Sequence, residues 1–154
     1  MERHAHEHHD AADLIARAER LCLETDRKLT PLRRRVFSEL AGSHGALGAY
    51  DLVERLGRER RISPISVYRA LDFLIEAGLV HRIAARNTYL PCHHEHGVSE
   101  ATVFLVCVRC GNVDELSSAN VARELHGTAA AAGFKPQNGA VEIEGECSSC
   151  LTEH

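Results

Sequence analysis

The chain has 154 residues, 44% hydrophobic and 26% charged, with a formal net charge of −4 and no Trp. That is enough for one domain, or two small ones sharing a core, and the composition is ordinary for a soluble protein. A negative total argues against a nucleic-acid partner, but it hides an asymmetry: residues 27–86 carry twelve Arg or Lys against six Asp or Glu, and residues 87–154 carry three against nine. A polyanion would dock on the basic middle, while the acidic, Cys-rich end suits cations. No apolar segment of signal-peptide length opens the chain, and nothing later approaches a transmembrane run. The expectation is a cytoplasmic protein without a membrane partner.

The opening residues, MERHAHEHHD, hold four His at irregular spacing. Residues 1–9 read as a His-rich tail without fixed structure, either solvated or loosely scavenging metal. From Asp10 a helical period places Leu14, Ile15, Ala18, Leu21 and Cys22 on one face, with Cys22 as a buried apolar residue. Thr30-Pro31 is a helix start, with Leu32, Val36 and Leu40 inward and Arg33, Arg34 and Arg35 outward. A short helix follows over Ala49 to Gly57, then a basic turn from Arg58 to Ile62. Ser63-Pro64 repeats the start signal. The helix it opens buries Val67, Ala70, Leu71, Leu74 and Ile75, stops at Gly78, and presents Ser66, Tyr68 and Arg69 in its first two turns. Leu79 to Ala85 and Thr88 to Cys92 alternate as a two-stranded hairpin.

Helices followed by a hairpin, on the basic segment, read as a winged helix-turn-helix. Arg69 is placed to bond a guanine edge and Tyr68 a sugar-phosphate or thymine methyl, with Arg33, Arg34, Arg35 and Arg58 to Arg61 on phosphates. Asp72, three residues on from Arg69, competes as an ion-pair partner. A helical domain whose arginines only solvate its surface is the bland alternative.

Two CxxC pairs, Cys107/Cys110 and Cys147/Cys150, are separated by 36 residues. Each follows a strand-like run, and each can turn two thiolates toward one tetrahedral Zn²⁺. The gap accommodates a helix, Ser118 to Ala132. Disulfides are the alternative, disfavoured for an intracellular chain, as are an iron–sulfur cluster or a redox dithiol. Between the basic and acidic halves lies a second donor group: His81, Cys92, His93, His94, Glu95, His96, Glu100 and Glu115. Imidazole, thiolate and carboxylate together suit Zn²⁺, and the thiolate argues against Mg²⁺, Ca²⁺ or Mn²⁺. His96 is the expected fourth ligand beside His81, Cys92 and Glu115, with His93, His94 and Glu100 as alternates. His126 reads either as a helix-surface residue or as part of a further metal site.

In order along the chain, Leu29-Thr30-Pro31-Leu32-Arg33, Ala49-Tyr50-Asp51-Leu52, Val67-Tyr68-Arg69-Ala70-Leu71-Asp72-Phe73-Leu74, Gly78-Leu79-Val80-His81 and the two CxxC pairs together resemble the ferric uptake regulator family. The match runs from about Thr25 to Cys150. Tyr68-Arg69, His81 and Cys92 look most like its zinc uptake regulator branch. That resemblance implies an α+β chain: a winged-helix DNA-binding domain over 10–92, a hinge at about 90–101, and a small α/β dimerisation and metal-binding domain over 102–154. It also implies a zinc-responsive homodimeric repressor that binds a palindromic operator in double-stranded DNA and controls zinc uptake genes. By the same resemblance neither an enzymatic activity nor a small organic substrate is expected. Cys107, Cys110, Cys147 and Cys150 would then hold one structural zinc per chain, and His81, Cys92 and Glu115 would hold at least one regulatory zinc. Tyr68 and Arg69 would face DNA, with Tyr50 on its backbone. One departure stands out: where a regulatory histidine is expected, counting back from Cys107, this sequence has Glu100. Rival readings are a family member sensing iron, manganese or peroxide, a zinc enzyme built on an open His81/Cys92 site, and a metal carrier. The absence of an HExxH motif disfavours the enzyme.

Overall fold

The computed structural model describes residues 10–93, 100–137 and 139–152. The His-rich tail expected over 1–9, and the candidate ligands His94 and His96, lie outside the described residues. The described residues form two compact units, one of 10–82 with 88–93, the other of 83–87 with 100–137 and 139–152.

The first unit begins with α1 (Ala11–Glu24), capped by the Asp10 carboxylate, which accepts from the Ala12 amide at 3.3 Å. Helix α2 (Pro31–Ala41) has Thr30 as its cap, its hydroxyl accepting from the Arg33 amide. Pro31 at the first position has its φ set for the helix and lacks an N–H that would have no helical partner. Then come α3 (Ala49–Gly57) and α4 (Pro64–Glu76). Their apolar stripes form one core: Val36, Phe37, Leu40, Leu52, Val67, Leu71 and Leu74 are all essentially excluded from water. Truncating any one of the leucines to Ala should cost about 2–5 kcal/mol, because both transfer energy and a cavity are involved. Gly78, at φ +74°, ends α4: its amide bonds the Ile75 carbonyl and that of Leu79 bonds Leu74, both at 2.9 Å. A side chain there would be strained, so glycine fixes where the chain leaves the helix.

The hairpin strands are β2 (Val80–Ile83) and β3 (Thr88–Pro91), but the sheet has three strands rather than two. A two-residue β1 (Leu47–Gly48) pairs antiparallel with β3, Leu47 opposite Tyr89. Two residues are too few to display a strand period, and the pairing depends instead on burying Leu47 and Tyr89 in the core.

The second unit contains β4 (Ala101–Cys107), β5 (Val113–Ser118), α5 (Ala119–Ala131), β6 (Ala140–Gly145) and α6 (Ser148–Leu151). Its sheet order is β5-β4-β6, with β5 antiparallel and β6 parallel to β4. Helix α5 matches the element expected between the CxxC pairs: the Ser118 hydroxyl accepts from the Val121 amide at 3.2 Å, and Gly133 at φ +70° follows its last turn. The α+β class is as expected. Among the described residues, no helix is long and apolar enough to cross a membrane.

Candidate metal centres and nucleic-acid face

Both CxxC pairs sit at strand ends, and the pairing of β4 with β6 brings them together. Cys107 is the last residue of β4, opposite Gly145 at the end of β6. Past Cys107 the chain reverses in a tight knuckle: the Cys107 amide donates to the Asn112 carbonyl at 2.8 Å, and the Gly111 amide returns to the Cys107 carbonyl at 3.0 Å. Gly111 has φ +77°, a conformation that a side chain would oppose. The second knuckle is the first turn of α6, with Cys147 just before it and Cys150 inside it.

The four sulfurs lie within 4.8 Å of one another. Cys107 Sγ is 3.9 Å from Cys150 Sγ, and Cys110 Sγ is 3.7 Å from Cys147 Sγ. A tetrahedral zinc with bonds of about 2.3 Å would place its sulfurs about 3.8 Å apart, so the site has the size of one such ion. A disulfide needs about 2.05 Å, and all six cysteines are free thiols. The thiols are not equivalent. Backbone amides of Cys110 and Cys147 hydrogen-bond the Cys107 sulfur and hold its pKa down to about 6, whereas the hydrogen bond with the Cys147 side chain, then burial, pushes Cys150 up to about 12. Cys107 is therefore the ready thiolate, and a bound cation would displace the Cys150 proton to solvent.

Arg109 was not singled out in the sequence. Its Nη1 donates to the Cys150 carbonyl at 2.6 Å and lies 3.8 Å from a Glu146 carboxylate oxygen, so a cation between the first two cysteines clasps the second knuckle. Its position inside CxxC was the available signal.

In the first unit, His81 on β2 and Cys92, one residue past β3, are brought together: a His81 ring nitrogen and Cys92 Sγ lie within 4.8 Å. Cys92 is 2% exposed, and its amide donates to the Leu79 carbonyl at 2.8 Å. Imidazole and thiolate at this spacing suit zinc as neighbouring ligands. Glu115 stands on β5 of the second unit, opposite Phe104. His93 follows Cys92 and is half-buried, while Glu100, just before β4, is exposed. His126 bonds its own helix, Nδ1 to the Ala122 carbonyl at 2.6 Å, and belongs to no metal-sized donor group among the described residues.

The expected DNA-facing residues divide into two sets. Tyr50, at the start of α3, is 79% exposed, and Tyr68 and Arg69 project from α4 with Ser66 half-buried beside them. Ile65, exposed in the first turn of α4, belongs to the same face and was not anticipated. Among the described residues Arg69 makes no ion pair, with Asp72 or otherwise. Arg33 and Arg34 are engaged within the fold. The Arg33 guanidinium lies 3.7 Å above the Phe73 ring and donates to the Lys28 carbonyl at 2.6 Å, and Arg34 Nε pairs with Glu19 at 2.8 Å. Arg35, read as outward, is half-buried and donates to the Leu56 carbonyl.

Comparison with known proteins agrees with this arrangement. The profile of the ferric uptake regulator family matches residues 24–144. The zinc uptake regulation protein of Escherichia coli (strain K12) is 36% identical over 140 residues, covering 90% of this chain and 82% of that protein. A solved zinc uptake regulator complexed with zinc and DNA superposes with a TM-score of 0.85 at 35% identity, over 93% of this chain and 96% of that one. The holo form of XcZur gives a TM-score of 0.79 at 36% identity, over 89% and 96%. With a profile matching most of its length and relatives of this similarity, the chain belongs to the ferric uptake regulator family and is a transcriptional regulator rather than an enzyme.

Proposed function

We propose that the chain is a zinc-responsive repressor that, as a homodimer, binds a palindromic operator in double-stranded DNA and controls genes for zinc uptake. The observation that carries this reading is the cluster of four cysteine sulfurs at zinc spacing, together with likeness over nearly the whole chain to a zinc uptake regulator complexed with zinc and DNA. Cys107, Cys110, Cys147 and Cys150 hold one structural zinc per chain, contributing folding free energy to the second unit. His81 and Cys92, with Glu115 and a fourth ligand, hold an exchangeable regulatory zinc. His96 is the first choice for that ligand, and His93, His94 and Glu100 are the alternates. Zinc on these donors supplies a Lewis-acidic centre that draws together a neutral imidazole, a thiolate and a carboxylate. Filling the site favours the DNA-binding form of the dimer, in which two recognition helices match successive major grooves.

Support for the dimer comes from the sheet of the second unit. Leu105 is 37% exposed, Leu116 44% and Ile143 51%. Leu105 is paired with Ile143, and Leu116 with Val103 two residues before Leu105, so all three share one face. An apolar face of this kind on three adjacent strands suits a second copy of the chain, whose self-complementary contact is a two-fold interface. Exposure of Tyr50, Tyr68 and Arg69 supports α4 as the base-reading helix, with Ser66 beside them and Arg58 to Arg61 on phosphates.

Selection from random duplex DNA at buffered free zinc, repeated with Fe²⁺ and with Mn²⁺ under reducing conditions, tests this. One palindrome enriched with zinc alone is expected. The same palindrome with iron or manganese alone changes the metal, and no enrichment with any metal refutes the proposal.

A further inference from the structure

β3 ends at Pro91, so Cys92 lies past the paired strand. Both polar groups of its backbone are nevertheless fixed within the first unit. Its N–H donates to the Leu79 carbonyl at 2.8 Å, and its carbonyl accepts from Arg17 Nη1 at 3.1 Å across 75 residues of sequence. Leu79 is two residues before His81, so the first bond sets how far along β2 the thiol falls. That bond fixes the N–H side of the Cys92 backbone. The second fixes its carbonyl side, so the residue is held at both ends.

Arg17 is suited to this work. It is half-buried on α1, between Leu14 and Ala18, two residues that root the helix in the core at 4% and 0% exposure. Its guanidinium makes a charge-assisted bond to the carbonyl. α1 otherwise lies away from the hairpin in sequence, so this bond ties an early helix to a metal-ligand position.

We infer that Arg17 is a positioning residue for the Cys92 thiolate, holding it in place beside His81 and so setting the affinity of the second zinc. The inference rests on the reading of Cys92 as a regulatory ligand. Groups that orient a metal ligand without touching the metal lower the ordering cost of binding, and their loss typically weakens metal affinity about 10- to 100-fold.

The test uses full-length protein already carrying the four-cysteine zinc. Wild type, Arg17→Met, Arg17→Lys and Cys92→Ser are titrated with zinc against a competing chelator. Parallel titrations with Co²⁺ follow the thiolate-to-metal charge-transfer band, and thermal unfolding is recorded before the second metal is added. Arg17→Met is expected to bind the second zinc about 10- to 100-fold more weakly with an altered charge-transfer band and an unchanged melting curve. Arg17→Lys, which keeps a cationic donor, is expected to recover part of the affinity. Unchanged affinity in Arg17→Met while Cys92→Ser loses it overturns the positioning role and leaves the ligand reading intact. Unchanged affinity in all the variants overturns both. A loss in Arg17→Met matched by an equal loss of folded protein shows that Arg17 only supports the fold and overturns the inference.

Discussion

Replacing Cys107 by Ser removes the thiolate best prepared to bind. A structural zinc of this type is worth about 10–16 kcal/mol of apparent binding free energy at neutral pH, and because the site is absent from the unfolded chain that energy is also folding energy. Divided evenly over four sulfurs, one thiolate accounts for about 2.5–4 kcal/mol, or roughly two to three orders of magnitude in zinc affinity. Cys107 is expected at the upper end. It is 3% exposed, accepts the Cys147 amide at 3.4 Å, and has its pKa held down to about 6 by backbone amides. The serine hydroxyl that replaces it is a poor zinc ligand, too short to reach the same point, and it leaves the Cys147 amide without its acceptor. Zinc stoichiometry after dialysis against a chelator, with thermal unfolding of the same samples, measures both effects. The variant is expected to lose its tightly held zinc and to melt well below wild type, the two converging once wild type is stripped. A Cys107→Ser protein that keeps one zinc at wild-type affinity and melts normally would refute the assignment.

Lowering the pH should release the same zinc. The folded pKa of Cys107 lies below the ordinary thiol range, so its contribution is present at higher pH and is lost as pH falls through about 6, while protons also compete for the other three sulfurs. Retained zinc followed by a chromogenic chelator should therefore drop as pH falls past that value, and release that grows with rising pH instead would contradict the sign. Arg69→Ala should cost about 1–3 kcal/mol and relax base preference at one operator position, measured on a panel of single-base variants. Arg34→Ala is expected to change DNA affinity far less, since its guanidinium pairs with Glu19 at 2.8 Å; equal losses in the two variants would refute that ranking. Ile143→Lys or Leu105→Asp, on the exposed sheet face, should shift sedimentation toward monomer at micromolar protein, and an unchanged dimer would move the interface elsewhere.

Elements with strong local punctuation were legible in the sequence. Thr30-Pro31 and Ser63-Pro64 start helices where they stand, Gly78 stops α4, and the two CxxC pairs converge because each follows a strand that the sheet brings together. What escaped depends on contacts distant in sequence. β1 is only two residues, and its pairing comes from Tyr89 forty-two positions later. β5, Val113–Ser118, is mostly polar and is defined by its pairing along β4. The outward position of Arg33 on a helical wheel did not disclose its contact with the Phe73 ring on α4. Arg109 clasps Cys150 through a bond spanning 41 residues; its place inside CxxC marks it as near the site but does not disclose that partner.

The central claim is that a second zinc, bound through Cys92, controls DNA binding. Its most direct test is the affinity of wild type and Cys92→Ser for the selected palindrome across a series of buffered free-zinc concentrations, with both proteins carrying the four-cysteine zinc. Wild type should gain about 5- to 150-fold in affinity as the second equivalent fills, and Cys92→Ser should remain a folded dimer that needs markedly more zinc for the same gain. Superimposable zinc dependence in the two proteins would remove Cys92 from the switch and contradict the account.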